Sequence, residues 1–207
     1  MRTPFRLLLV LLAATAVRAG IRRARREMDP PIERTGAAMP LERERGHIGA
    51  TSDAHLVSQA GEPDWVRELA GWLPPAPGTP AGRIAAYAWA APATLGGLIL
   101  GLLSGRTPEV RDGVLLFAGV RGLPALGLRR GGFAATTLGH VVIALRDPSP
   151  ALMAHELAHT RQAERMGPFT GPVYWYLLAR YGYARHPMER AARIAGRTVR
   201  EAAPTAS

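Results

Sequence analysis

The chain has 207 residues, enough for one domain with a hydrophobic core plus additional segments, and its apolar fraction of 47% is ordinary for a globular protein. All 26 basic residues are arginines and the formal net charge is +10, but the arginines are scattered among acidic residues, which argues against nucleic-acid binding. The chain contains no cysteine, so disulfides, thiolate nucleophiles and cysteine-bound zinc are excluded, and any metal must be bound by histidine and carboxylate groups.

The N-terminus has the pattern of a targeting segment. Arg2 and Arg6 precede an apolar run at residues 7–17, and the small-residue pattern at residues 17–19 is a loose cleavage signal. The run is too short to cross a hydrocarbon core of about 30 Å, which takes about 20 helical residues. Residues 1–19 are therefore predicted to be a signal peptide or a signal anchor.

Residues 20–82 are dominated by Arg, Glu, Pro, Gly and Ala and contain few large apolar residues. This composition predicts a mostly disordered linker. One exception is a set of apolar residues at helical spacing, Trp65, Leu69 and Trp72, which follows a Pro-Asp start signal. It predicts a short amphipathic helix that lies on a surface or at a membrane interface.

Residues 84–105 carry no charge, and Arg83 and Arg106 stand at the two ends of this segment. Its length is sufficient for a transmembrane helix. Its Ala and Gly content and the internal Pro92 fit a buried helix on a soluble domain nearly as well. Residues 83–106 are therefore predicted to form a hydrophobic helix, transmembrane or buried, in a membrane-associated or cell-envelope protein. A domain on the cytoplasmic side remains an alternative.

The C-terminal half combines strand and helix signals, which predicts an α+β domain over residues 107–200. Residues 113–120 and 132–145 are rich in Val, Leu, Thr and Ile and predict short antiparallel strands. Ser149 and Pro150 are suited to begin a helix, and Gly167-Pro168 to end it. The three predicted helices are residues 151–166, residues 172–181 and a last helix that begins at Pro187.

The first of these helices contains the sequence HELAH at residues 155–159. Residues four apart lie about 40° apart on one helix face, so His155 and His159 can bind the same metal ion. Glu156 is placed to hold a metal-bound water without coordinating the metal itself. In this arrangement zinc lowers the pKa of water, and the glutamate transfers its proton to a leaving amine. The alternative is an ordinary surface helix with two partly buried histidines.

A catalytic zinc needs a third protein ligand and an open position. Glu164 is nine residues after His155, a rotation of about 900° that places it on the opposite side of the same helix. His140, in the preceding strand, is interpreted as a core residue or as a partner of a ligand. Glu189, in the first turn of the last helix, is the predicted third ligand, and His186 is the alternative.

The segments HELAHTRQAERMGPFTGPVYW and GYARHPMERAA resemble the HExxHxxQ zincins, in particular a group of small bacterial proteins with a Gly-Pro and aromatic segment and a later Pro-x-Glu-x-x-Ala. The similarity covers roughly residues 84–195. It implies a gluzincin-like metallopeptidase domain in which His155 and His159 are zinc ligands, Glu156 is the catalytic base and Glu189 is the third ligand.

Four further residues acquire an interpretation from their place near these motifs. Gln162 matches the glutamine of the family, with helix capping or packing as the alternative role. Such relatives often carry an acidic residue two positions after the late glutamate, where this chain has Ala191. Tyr181 and Tyr183 are the candidates to donate a hydrogen bond to the oxyanion that forms when water attacks a carbonyl.

The leading functional hypothesis is therefore a zinc metallopeptidase that acts on a peptide or protein substrate and is attached to, or faces, a membrane. A second hypothesis is a catalytically silent membrane or envelope protein in which zinc holds helices together. A third is a small helical membrane protein that binds no metal. A fourth protein ligand would indicate a structural site, whereas an open position would indicate an enzyme.

Overall fold

A computed structural model of the chain describes residues 62–203. The predicted targeting segment at residues 1–19 and the greater part of the predicted linker lie outside the described residues. The helices are α1 (Asp64–Ala70), α2 (Pro80–Leu102), α3 (Gly122–Gly131), α4 (Pro150–Met166), α5 (Thr170–Tyr181) and α6 (Pro187–Ala202), with a 3-10 turn at Gly167–Phe169. The strands are β1 (Glu109–Arg111), β2 (Val114–Ala118), β3 (Ala135–Leu138) and β4 (Val141–Ala144).

The four strands form one mixed sheet in the order β1-β2-β4-β3. The predicted α+β class is confirmed, and the predicted pair within residues 132–145 is the antiparallel pair β3 and β4. The expectation of antiparallel strands fails for β2 and β4, which are parallel, with Leu115 opposite Val141. The reason is that α3, which the sequence did not predict, begins and ends at the same end of the sheet, so that β3 runs opposite to β2 at the far edge. The short turn at residues 139–140 then returns the chain as β4, which lies between them and runs parallel to β2.

Each face of the sheet is covered by different helices. On one face, Leu116 and Val142 pack with Met153 of α4. On the opposite face, Phe117, Val141 and Ile143 pack with residues from α2 and α3. The metal-motif helix and the hydrophobic helix therefore cover opposite faces of the same small sheet.

Small residues allow α2 to lie directly on the sheet. Gly97 and Gly101 are buried at this contact. A Cβ atom at Gly97 would lie 2.8 Å from Val141 and 2.9 Å from Leu138, and one at Gly101 would overlap the Phe117 ring. By length and composition α2 is the one helix among the described residues that could cross a membrane, although core helices of soluble proteins pass the same test.

The predicted amphipathic helix is α1, and it packs against α6. Val66 and Ala70 are its buried residues, whereas Trp65 is about half exposed. At the start of this segment Glu62 accepts two hydrogen bonds from Arg190 of α6, at 2.8 and 2.9 Å. This end of the predicted linker is therefore packed onto the helix that carries Glu189.

Local signals set the ends of α4 and α6. The Ser149 hydroxyl accepts from the Leu152 amide and Pro150 occupies the first turn of α4, as predicted. The His186 side chain caps α6 by accepting from the Glu189 amide, and Pro187 follows it. The two helices pack closely because Gly196 has no side chain, and a Cβ there would lie 2.8 Å from the Ala151 carbonyl oxygen.

Candidate metal centre

The structure brings together His155, His159 and Glu189 on the facing sides of α4 and α6. Nε2 of His155 lies 3.4 Å from Glu189 Oε2, and Nε2 of His159 lies 3.3 Å from Glu189 Oε1. One potential ligand atom from each of the three residues lies within 4.8 Å of the others. The histidines are partly buried and Glu189 is buried. These are the three ligands predicted from the sequence.

One unsatisfied atom fits a cation at this position. Glu189 Oε2 is buried and has no hydrogen-bond partner, although it lies 3.4 Å from His155 Nε2. Two ligand atoms held at about 2.0–2.2 Å from a tetrahedral zinc are about 3.4 Å apart, which is close to the separation of His155 Nε2 from Glu189 Oε2. Two imidazoles and one carboxylate are also a donor set that suits zinc.

Gln162 fixes the orientation of the His159 ring. Its amide nitrogen points to the carbonyl oxygens of Met188, at 3.4 Å, and Trp72, at 3.5 Å. Its amide oxygen therefore faces His159 Nδ1, at 2.9 Å, and accepts a hydrogen bond from the Nδ1–H group. Because Nδ1 donates to Gln162, Nε2 faces Glu189, and its lone pair becomes available to a metal once the proton on Nε2 is displaced.

Gln162→Leu is expected to weaken zinc binding by about 10- to 100-fold, since the substitution removes the acceptor that orients His159. Zinc affinity would be measured by competition with a chromogenic chelator. Arg165→Ala, an exposed position on the same helix, is the control and should leave the affinity unchanged. Equal affinities for the two variants would show that Gln162 has a packing role only.

Tyrosines surround the carboxylate of Glu189. The Tyr174 hydroxyl donates to Glu189 Oε1 at 2.6 Å. Burial and the negative charge of Glu189 raise the pKa of Tyr174, and likewise that of Tyr183, well above 10, so both hydroxyls stay protonated and can donate. Tyr181, the other sequence candidate, instead makes an edge contact with Trp65, with ring centroids 6.2 Å apart.

The contact between Tyr174 and Glu189 was missed by the sequence analysis. Tyr174 lies on α5, fifteen residues before Glu189, and no local spacing rule links the two positions. The only signal was the density of aromatic residues over residues 174–183, which by itself is typical of packing.

Glu156 lies outside the cluster of three and is buried beside it. The Thr137 hydroxyl of β3 donates to Glu156 Oε2 at 2.6 Å, which anchors one oxygen of the carboxylate. Because Glu156 follows His155 directly in α4, this hydrogen bond holds the carboxylate between the edge strand and the two histidines. Its position is compatible with the predicted role of a base that does not bind the metal.

His186, the alternative ligand, lies outside the cluster because both of its ring nitrogens are engaged. Nδ1 accepts from the Glu189 amide at 3.4 Å, and Nε2 lies 3.0 Å from the Tyr174 carbonyl oxygen. Burial lowers its pKa to about 4, so the ring is neutral at physiological pH. Among residues 62–203, the cluster therefore contains three residues that could bind a metal and no fourth.

His140 and Glu164 form a separate buried pair. His140 Nε2 lies 3.0 Å from Glu164 Oε1, and the Tyr87 ring stacks on the imidazole with centroids 3.8 Å apart. Arg161 also donates to Glu164 Oε1, at 2.6 Å. Both residues thus stay away from the metal centre, as the helical rotation predicted for Glu164.

The charge state of His159 depends on whether a metal is present. Burial lowers the pKa of His159, but the negative charge of Glu189 outweighs burial and raises it to about 9. Burial likewise opposes ionisation of Glu189, yet the neighbouring histidines hold its pKa well below 4.5. The metal-free centre therefore contains an imidazolium–carboxylate pair, and a metal ion must displace the proton on His159.

The metal-free protein is expected to lose stability as the pH rises from about 6.5 to about 9. Because the folded pKa of His159 lies above the unfolded value of 6.5, its stabilisation is complete below that value and is lost through the folded pKa. Zinc competes with the same proton, so zinc should stabilise the protein more as the pH rises over this range. Thermal melts with chelator and with zinc would measure both trends. In His159→Gln, which has no titrating imidazole at this position, we expect neither the loss of metal-free stability nor the increase in stabilisation by zinc over this pH range.

No protein-family model, no curated protein and no solved structure matches this chain. One site contains the imidazoles of His155 and His159 and the carboxylate of Glu189, one oxygen of which is buried without a hydrogen-bond partner. Glu156 lies beside them.

Proposed function

We propose that this protein is a zinc-dependent metallopeptidase of the zincin type. The observation that carries the proposal is the convergence of His155, His159 and Glu189, with one carboxylate oxygen buried and unpartnered, directly beside Glu156. Three protein ligands are the number that catalytic zinc sites use, because a fourth position must stay open for water or substrate. The resemblance to HExxHxxQ zincins agrees with this ligand set.

The residues of the chain take distinct roles in peptide hydrolysis. Zinc, when bound by His155, His159 and Glu189, supplies a Lewis acid that acidifies water and polarises a peptide carbonyl. Glu156 accepts the proton of the attacking water and passes it to the leaving amine. Thr137 holds the carboxylate of Glu156 in place through Oε2.

Tyr174 and Tyr183 supply protonated hydroxyls on the α5 side of the centre. Tyr174 donates to Glu189 Oε1, which leaves Oε2 directed to the metal position. Tyr183 lies near the same carboxylate and is the candidate to donate to the oxyanion that develops on the substrate. Tyr174 thus orients the carboxylate of Glu189, whereas Tyr183 stabilises the negative charge that develops on the carbonyl oxygen of the substrate.

A catalytically silent zinc protein is the second candidate. The observation in its favour is Ala191, which is fully buried where the relatives implied by the resemblance often carry an acidic residue. An active enzyme and a silent protein would bind zinc equally, so metal content alone does not separate them. Hydrolysis of a peptide mixture by the zinc-loaded chain does.

The first test of the proposal is the zinc content of the purified full-length chain. We expect about one zinc per chain in the wild type and its loss in His155→Ala and in Glu189→Ala, because each variant removes a ligand. Glu201→Ala, an exposed position on the same helix as Glu189, is the control and should retain zinc. A wild-type chain without zinc after incubation with the metal would refute the proposal.

A further inference from the structure

The outward sides of α2 and α3, two helices that cover the same face of the sheet, carry exposed apolar side chains, and these are here called the α2–α3 face. Both helices pack on the sheet face opposite α4. Their exposed apolar side chains include Ile84, Leu95, Ile99 and Leu102 of α2, Leu103 at its C-terminal cap, and Leu123 and Leu126 of α3; Tyr87, Trp89 and Leu100 are exposed as well. Several of these side chains are about 60% exposed or more, which is unusual for so many large apolar residues on one surface of a soluble domain.

Four of the exposed apolar residues of α2 follow one line along the helix. Ile84, Leu95, Ile99 and Leu102 are separated by eleven, four and three residues, which keeps them on one side, and Ala88 and Pro92 are exposed between them. The buried residues Ala86, Ala90, Gly97 and Gly101 occupy the other side. At about 1.5 Å per residue the line is close to 30 Å long.

Charged residues are confined to the border of this face. Residues 84–105 and 122–128 contain no charge. Arg83, Arg121 and Arg129, at the margins of these segments, are exposed. An apolar surface bordered by arginines is complementary to a bilayer, whose acyl region is apolar and whose anionic headgroups attract cations.

We infer that the α2–α3 face is a membrane-binding surface on which α2 lies in the plane of the bilayer interface and does not span it. The sheet contact is the reason. Gly97 lies directly against Leu138 and Val141, and Gly101 lies directly against Phe117. Because of this close contact, α2 could be surrounded by lipid acyl chains only if the strands entered the membrane with it. The outer edges of β1 and β3 would then expose unpaired backbone groups to lipid, which is strongly unfavourable.

Two other occupants fit this surface less well. A second copy of the chain, paired face to face, would bring the bordering arginines of the two copies together. The apolar run at residues 7–17 of the same chain would extend about 16 Å as a helix, roughly half the length of the face. This inference is independent of the zinc site.

Depth measurements on the full-length chain test the inference directly. Because the chain has no cysteine, each single variant Ile84→Cys, Leu95→Cys, Ile99→Cys or Leu102→Cys carries one nitroxide label. On phosphatidylcholine vesicles that contain phosphatidylglycerol, we expect all four labels at one similar, shallow depth. Labels that are deepest at position 95 and shallow at positions 84 and 102 would establish a spanning helix and overturn the inference. Labels that all remain in water would also overturn it. Thr198→Cys, exposed on α6, is the control for a label in water.

A binding measurement identifies the occupant. The pair Leu95→Ser and Ile99→Ser is expected to weaken vesicle binding by about tenfold or more, since two exposed apolar side chains lose their favourable burial in lipid. The pair Ile194→Ser and Val199→Ser, also exposed but on α6, is the control and should bind as the wild type does. Equal binding by the two pairs, or a stable dimer in solution that does not bind vesicles, would overturn the inference. Zinc content, measured in parallel, separates failure here from failure of the metal centre.

Discussion

Glu156→Gln is expected to lower kcat/KM for a peptide substrate by about 10²- to 10⁴-fold while the zinc content stays at the wild-type value. The substitution preserves the size of the side chain and a group that can interact with Thr137, but it removes the base that accepts a proton from water. Since Glu156 lies outside the three-residue cluster, the metal ligands are unchanged. Rates on a peptide identified from a mixture, together with metal analysis of the same sample, would measure both quantities.

Two controls make this result interpretable. Glu201→Gln, on the exposed part of α6, should leave both rate and zinc content unchanged. Thr137→Val should lower the rate by a smaller factor than Glu156→Gln, because the carboxylate is retained and only its orientation is loosened. Full activity in Glu156→Gln would show that another group is the base. Loss of zinc in that variant would show that Glu156 takes part in binding the metal.

Glu62→Ala is expected to reduce the free energy of unfolding by about 3–5 kcal/mol. The side chains of Glu62 and Arg190 are 8% and 5% exposed, and removal of the acid leaves a buried guanidinium without its partner. Arg190 Nε is already buried without a hydrogen-bond partner, so the remaining cation has little other compensation. Urea denaturation of the full-length chain would measure the effect.

A matched variant separates loss of this ion pair from general disturbance of α1. Glu68→Ala lies on the exposed side of the same segment and should change stability by less than about 0.5 kcal/mol. The double variant Glu62→Leu with Arg190→Met should recover much of the loss, because it replaces the buried pair by apolar groups. A loss below about 1 kcal/mol in Glu62→Ala would mean that this segment contributes little to the stability of the domain.

If Glu62→Ala is as destabilising as expected, residues 62–72 also contribute to the metal centre. Arg190 is adjacent to Glu189 in the first turn of α6, and the Trp72 carbonyl accepts from the amide of Gln162, which in turn orients His159. Residues 62–72 therefore contact Gln162, which orients the candidate ligand His159, and Arg190, the neighbour of the candidate ligand Glu189. A shortened chain that begins after this segment would be expected to bind zinc more weakly than the full-length chain.

The sequence by itself determined the features that depend on local spacing. The i and i+4 positions of His155 and His159 place both rings on one face of a helix, whatever the rest of the fold is. Ser149 and Pro150 begin that helix for reasons confined to its first turn. Pro187 likewise starts α6 and puts Glu189 in its first turn. Together with the Val-, Leu-, Thr- and Ile-rich segments at residues 113–120 and 132–145, these signals predicted the α+β class and the three residues that converge.

Only the tertiary structure decided the features that depend on contacts between distant segments. Gly196 permits the close contact of α6 with α4, Tyr174 reaches Glu189 from α5, and His186 is removed from the ligand set by the Tyr174 carbonyl. The parallel pairing of β2 with β4 and the contact of Gly101 with Phe117 are of the same kind. A local pattern predicts which face of a helix or strand is apolar. It does not predict which other element packs on that face, because contacts between segments far apart in the chain produce no periodic pattern in the sequence.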